Sequence, residues 1–151
     1  MEVTIGILGF IIVMIAVEYF FFHKRKEEKE EEKEEEYIDP LEVRFKATQK
    51  LSKEVQLDIE NYILKANASD KLLFKDMTFS KYLAHLKETH NENLSDSLYE
   101  RLRSLELTKS NSVFLIKSLE FQFSALLQIK NKMQLLDLLY SKRVALAESQ
   151  H

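Results

Sequence analysis

Two histidines, His85 and His90, stand nearest one another among the residues able to hold a metal or move a proton, with Glu88 and Glu92 beside them. Five residues apart on a helix, they point about 140° away from each other. A shared metal wants a separation of three or four, as in H-E-x-x-H, and the Glu-x-x-His pairs of di-iron bundles do not occur. The pattern therefore predicts solvated or partly buried histidines. A further histidine stands at position 151. No serine, aspartate and histidine lie close enough in sequence to suggest a hydrolase, although a triad need not be local. With no cysteine, disulfides, thiolate zinc sites and cysteine nucleophiles are removed. Arg101, Arg103 and Lys109 make a small basic patch, but without clustered aromatics or a recognition-helix pattern. The residue types thus predict no catalytic group, cofactor or metal, no nucleic-acid partner and no small-molecule substrate.

The elements that carry these residues follow from glycine and proline. The two glycines, Gly6 and Gly9, lie in the apolar N-terminal run, and the single proline is Pro40. Hairpin turns and phosphate loops rely on glycine for positive φ or close backbone approach. A glycine-free stretch rich in Leu, Lys, Glu and Gln reads as all-α. It excludes a Walker loop, a dinucleotide fingerprint and a nucleophile elbow together.

Residues 3–22 form an apolar run broken only by Thr4 and Glu18. At 1.5 Å per residue it spans about 30 Å, the hydrocarbon thickness of a bilayer. A cleaved signal peptide would need a basic start, a shorter core and a small-residue cleavage site. Here Glu2 stands at the start and Tyr19, Phe20, Phe21 and Phe22 at the end. Residues 1–22 therefore read as an uncleaved transmembrane anchor, with those four aromatics as an interfacial belt and Lys24, Arg25 and Lys26 at the headgroups. Five Lys/Arg follow the run within residues 23–36 and none precedes it. The positive-inside rule then puts the N-terminus outside and the C-terminal domain in the cytoplasm, at an inner or plasma membrane. Glu18 is either a carboxylate reaching interfacial water or a polar contact to a partner helix within the bilayer. Gly6 and Gly9 are three apart, not four, and do not make the small-xxx-small dimer motif.

Residues 23–36 carry five basic and eight acidic side chains, whereas residues 37–151 carry 17 and 15. The first stretch cannot bury a core. It reads as a charged, helical or self-repelling spacer that holds the domain of residues 37–151 off the bilayer, by about 20 Å if fully helical. Asp39 and Pro40 then form a helix start, cap followed by first helical residue.

Four helices are expected beyond that point. The first covers residues 40–65 on Leu41, Phe45, Val55, Ile59 and Ile63. Residues 55–59 also alternate as a strand would, but no partner strand is evident. The second covers 79–89 behind a Thr78 cap. The third covers 96–107, capped by Ser95 or Ser97, with Ser97 and Glu100 in capping-box spacing; the polar residues 108–112 close it. The last runs from 113 to about 147, as one helix or two with a bend. In it Leu119, Gln122, Leu126, Ile129, Met133, Leu136 and Tyr140 recur in the 3-4 spacing of a coiled-coil seam. Phe114, Ile116, Phe121, Phe123, Leu127, Leu135 and Leu139 lie outside that seam, so the helix is apolar over much of its circumference and must be covered on several sides. The preceding helices or a partner can supply that cover. The expected protein interface is Leu119, Leu126, Ile129, Met133, Leu136 and Tyr140, with Glu18 in the membrane.

In topology alone the layout is similar to membrane-tethered bacterial adaptors that recruit cytoplasmic machinery. The peripheral-stalk b subunit of rotary ATP synthases also begins with a span and a charged helix, but Pro40 and the short helices depart from its single long stalk. The expectation is a non-enzymatic, membrane-anchored interaction or assembly module, bound to the bilayer and to a protein partner or a second copy. The alternatives are a membrane-bound helical effector, nucleic-acid-binding or enzymatic, and an envelope-spanning or lysis-type protein of inverted topology.

Overall fold

Asp39 begins the first helix as its type predicts: its carboxylate accepts from the Leu41 amide at 2.9 Å, and Pro40 occupies the first turn, where a missing N–H costs nothing. The computed structural model describes residues 39–150. The anchor of residues 1–22, the spacer of 23–36 and His151 lie outside the described residues. So do Glu18, the aromatic belt Tyr19, Phe20, Phe21 and Phe22, and the basic residues Lys24, Arg25 and Lys26.

The described chain is 80% helical, in the order α1 (Pro40–Ala66), β1 (Leu72–Phe74), β2 (Met77–Thr78), α2 (Phe79–Asn93), α3 (Asp96–Arg103) and α4 (Lys109–Glu148). Asn67 ends α1 in the left-handed conformation (φ 45°), which asparagine tolerates better than most non-glycine residues. Side-chain hydroxyls start the other helices. Thr78 accepts from Lys81, Ser95 from Leu98 and Thr108 from Asn111, each satisfying an amide that the first turn leaves free.

Three expectations need correction. A small antiparallel hairpin pairs Leu72 with Thr78 and Phe74 with Met77, where none was expected. Its two-residue connection, Lys75 and Asp76, has no positive φ. The absence of glycine excluded only turns that require one. The third helix is shorter than expected, ending at Arg103, where the Ser104 hydroxyl folds back onto the Arg101 carbonyl at 2.7 Å. The polar stretch from Thr108 opens α4 instead of closing α3, so α4 is one unbroken helix of 40 residues.

Contacts along α1 and α4 fix their relative direction. Arg44 meets Glu120, Glu54 meets Lys130, and Lys65 meets Asp137, while the Tyr140 hydroxyl donates to the Lys65 carbonyl at 2.6 Å. Both numbers rise together, so α1 and α4 run parallel. The α2 helix runs against α1, with Lys87 paired to Glu60 and Tyr62 stacked on Phe79.

The core is divided. One apolar cluster joins Leu51, Val55 and Ile59 of α1 to Phe79, Tyr82 and Leu86 of α2 and to Leu126, Ile129 and Met133 of α4. A second joins Leu41 and Phe45 to Leu98, Tyr99 and Leu102 of α3 and to Leu115 and Leu119. This second cluster lies at the end where residue 39 enters the domain.

Candidate functional site

Between the two apolar clusters the helices turn polar side chains inward. Thr48, Gln49 and Ser52 on α1, Thr89, His90 and Asn93 on α2, and Gln122 on α4 are all buried. Most polar groups in such a belt need partners, because leaving a buried one unmade costs about 1–3 kcal/mol. The Gln49 amide donates to the Leu94 carbonyl at 2.8 Å and to the Asp96 carboxylate at 2.9 Å, tying α1 to the start of α3. Thr48 returns its hydroxyl to the Arg44 carbonyl at 2.8 Å. His90 Nδ1 and the Ser52 hydroxyl lie 3.0 Å apart, and the Gln56 amide donates to that hydroxyl at 3.3 Å. Burial, helped by the Lys53 charge and opposed by Asp96, lowers the His90 pKa, which holds the imidazole neutral. Burial also pushes the Tyr82 phenol up to about 12.

Gln122 departs furthest from this rule. Neither its amide nitrogen nor its carbonyl oxygen finds a partner among the described residues, though its side chain is 6% exposed. Asn93 Nδ2 and His85 Nε2 are likewise buried without one. Gln122 lines a partly open cavity of about 40 Å³ whose walls are Ser52 and His90, Tyr82, Leu86 and Leu126, with Phe121 at the exposed side. That volume exceeds the roughly 10–15 Å³ needed to admit a water.

Although Ser52 and His90 touch, Ser52 is fully buried in mid-helix. The pair holds α1 to α2. His85 and His90 do not converge. Among the described residues, no group of three His, Cys, Asp or Glu side chains is placed to hold a metal.

Most of the residues expected at a protein interface on α4 face the domain's own helices. Leu119, Leu126, Ile129 and Met133 are buried in the chain's own core, and Leu136 is partly buried against it. Tyr140 is half-buried, set edge-on to Tyr62 and bonded to Lys65. A heptad seam reports that one face is covered, and here α1, α2 and α3 cover it. The apolar face left over is a different one. Phe114, Phe121 and Leu135, at seven-residue multiples, and Leu139 and Leu146 beside them, are exposed. Phe121 lies roughly 100° around the helix from Gln122. Beyond Tyr140 every described residue of α4 is exposed. Residues 141–148 therefore project about 12 Å past the end of α1, with Leu146 at 65% exposure.

Among the described residues α4 is the one helix long and apolar enough to cross a membrane by length and composition. Its core face is occupied by α1 and α2, and Glu120 and Lys130 pair with α1 along its flank. A helix so engaged is packed in a bundle, and its apolar excess is the exposed stripe together with Leu127, Leu138 and Val144 on other faces.

At the opposite end lies a cleft of about 620 Å³. Pro40, Leu102, Leu105, Val113 and Ile116 give it apolar walls, with Arg103 and Lys109 among its lining. Of the three basic residues noted in the sequence, these two meet at one surface. No family model, no curated protein and no solved structure matches this chain.

Proposed function

We propose that the protein is a membrane-anchored, non-enzymatic interaction module. In this reading residues 1–22 span the bilayer and residues 23–36 act as spacer. The helical domain, held at the cytoplasmic face, presents the outer stripe of α4 to a protein partner. The observation that carries the reading is the parallel pairing of α1 and α4. It puts the chain's entry, at Asp39, and the projecting leucine-bearing end of α4 at opposite ends of the domain.

Two further features support it. Exposed apolar side chains repeating along one face of a long helix are costly in water unless something covers them. The cleft that holds Arg103 and Lys109 opens at the entry end, where cations favour anionic headgroups. Function would then follow from tethering, because an anchored domain meets a second membrane-bound protein at raised effective concentration.

The test is affinity purification of the full-length protein from its native host in mild detergent, identified by mass spectrometry, beside an anchor-only control of residues 1–36. A stoichiometric partner should accompany the full chain and be lost from a Leu135→Glu, Leu139→Glu, Leu146→Glu variant that keeps its helical content. A partner retained by that triple variant would remove the stripe from the interface. Capture of the chain by itself alone would turn the reading toward self-assembly.

A further inference from the structure

The geometry points to the Gln122 cavity as a binding socket for a neutral carboxamide, supplied by an asparagine or glutamine side chain of a protein laid across Phe121. This rests on the α4 stripe as an interaction face and adds what that face selects.

Gln122 supplies the first observation. Its side chain is more than nine-tenths buried, lines the cavity, and leaves both an N–H donor and a carbonyl acceptor unused. Adjacent donor and acceptor are the pattern a second carboxamide matches reciprocally, with two parallel hydrogen bonds.

The remaining lining supplies the second. No Asp, Glu, Lys or Arg borders the cavity. Its histidine is held neutral by burial and already engaged with Ser52. A charged group would enter without a counter-ion, at a desolvation cost of several kcal/mol. A purely apolar group would leave the Gln122 amide unpaired. A small neutral group with both hydrogen-bonding functions satisfies the site, and about 40 Å³ is several times the roughly 10–15 Å³ that one water needs. The opening lies beside Phe121, at 57% exposure, so a helix resting on that ring can reach inward with one side chain.

The experiment uses acetamide as probe on the full-length protein in nanodiscs, with glutamine side chains labelled with ¹⁵N and read by NMR. The Gln122 amide resonance, identified by its loss in Gln122→Leu, should shift saturably with acetamide and stay still with acetate. Ala125 also lines the cavity, so Ala125→Leu narrows it and should reduce the shift at least several-fold. Gln122→Leu replaces an unpaired buried amide and should fold at least as well as the parent. If acetamide gives no saturable shift, or the shift survives Ala125→Leu, or acetate matches it, the socket is wrong and the cavity holds water only. The titration needs neither partner nor anchor activity. A failed partner capture with a positive titration would therefore sink the function above and leave the socket standing, and the converse result would do the reverse.

Discussion

The division of α4 into a buried seam and an exposed stripe makes a quantitative prediction through one residue on each. Leu119 is 1% exposed and packs in the cluster with Phe45 and Leu115, whereas Leu135 is 57% exposed. Replacing Leu119 by alanine removes three carbons from the core. At about 0.8 kcal/mol per buried methylene the transfer loss is roughly 2.4 kcal/mol. The cavity left behind raises this to about 3–4 kcal/mol, inside the range of about 2–5 seen for such changes. Leu135→Ala removes the same carbons from a mostly wetted site and should cost no more than about 0.5 kcal/mol. With a urea slope of about 1–3 kcal/mol per molar for a small domain, Leu119→Ala should lower the unfolding midpoint by about 2 M and Leu135→Ala should barely move it. Pulse proteolysis of the full-length protein across a urea series reads both midpoints on a gel. Equal losses in the two variants, or a Leu119 loss below about 1 kcal/mol, would refute the assignment of the seam to the chain's own core.

Two other outcomes follow from single residues. Burial lowers the pKa of His90 from its ordinary 6.5, so the unfolded chain takes up the proton more readily than the folded one. The stability due to neutral His90 is complete above about 6.5 and declines as pH falls toward the lowered folded value, where the loss levels off. His90→Asn, which keeps an acceptor near Ser52, should flatten that part of a stability–pH profile; an unchanged slope would mean that His90 is not the titrating group. Asn67 holds the left-handed C-cap of α1. Asn67→Ala should cost about 1 kcal/mol and Asn67→Gly little or nothing, and equal effects on the thermal midpoint would argue against the cap.

Much of the helical frame was legible because its signals are local. Asp39 and Pro40 announce α1, Thr78 and Ser95 sit at caps, and the 3-4 repeat through Leu119, Leu126, Ile129 and Met133 marks the buried face of α4. The hairpin was illegible for a physical reason: β1 and β2 hold three and two residues, too few for alternation to register. What covers the α4 seam stayed open for a deeper one. Periodicity says which face of a helix is covered but is silent on what covers it, so a seam filled by α1 reads the same as one filled by a partner. The polar belt was hidden for the opposite reason. Asn93 and His90 sit in the polar run His90, Asn91, Glu92, Asn93, which in sequence looks like a solvated helix end, yet the two are buried by packing against α1. Gln122 did show itself, as a polar residue inside an apolar repeat.

That residue bears on how the domain reconciles stability with selection. A leucine at position 122 would continue the seam between Leu119 and Leu126 and join the two apolar clusters, and it would remove two unpaired buried atoms. On physical grounds such a core should be the more stable one, since an unsatisfied buried polar group costs about 1–3 kcal/mol. Asn93 Nδ2, also buried and unpaired, adds to the cost at the same level of the bundle. Gln49, Ser52 and His90 around them are satisfied, so the chain is able to pair its polar groups there and leaves only some of them open. Local rules tend to be broken where a protein uses the breach. Here the unpaired Gln122 amide coincides with a partly open cavity under the exposed Phe121 ring. The three features meet on α4, the helix that also carries the exposed stripe, which is why the socket and the stripe are read as parts of a single surface.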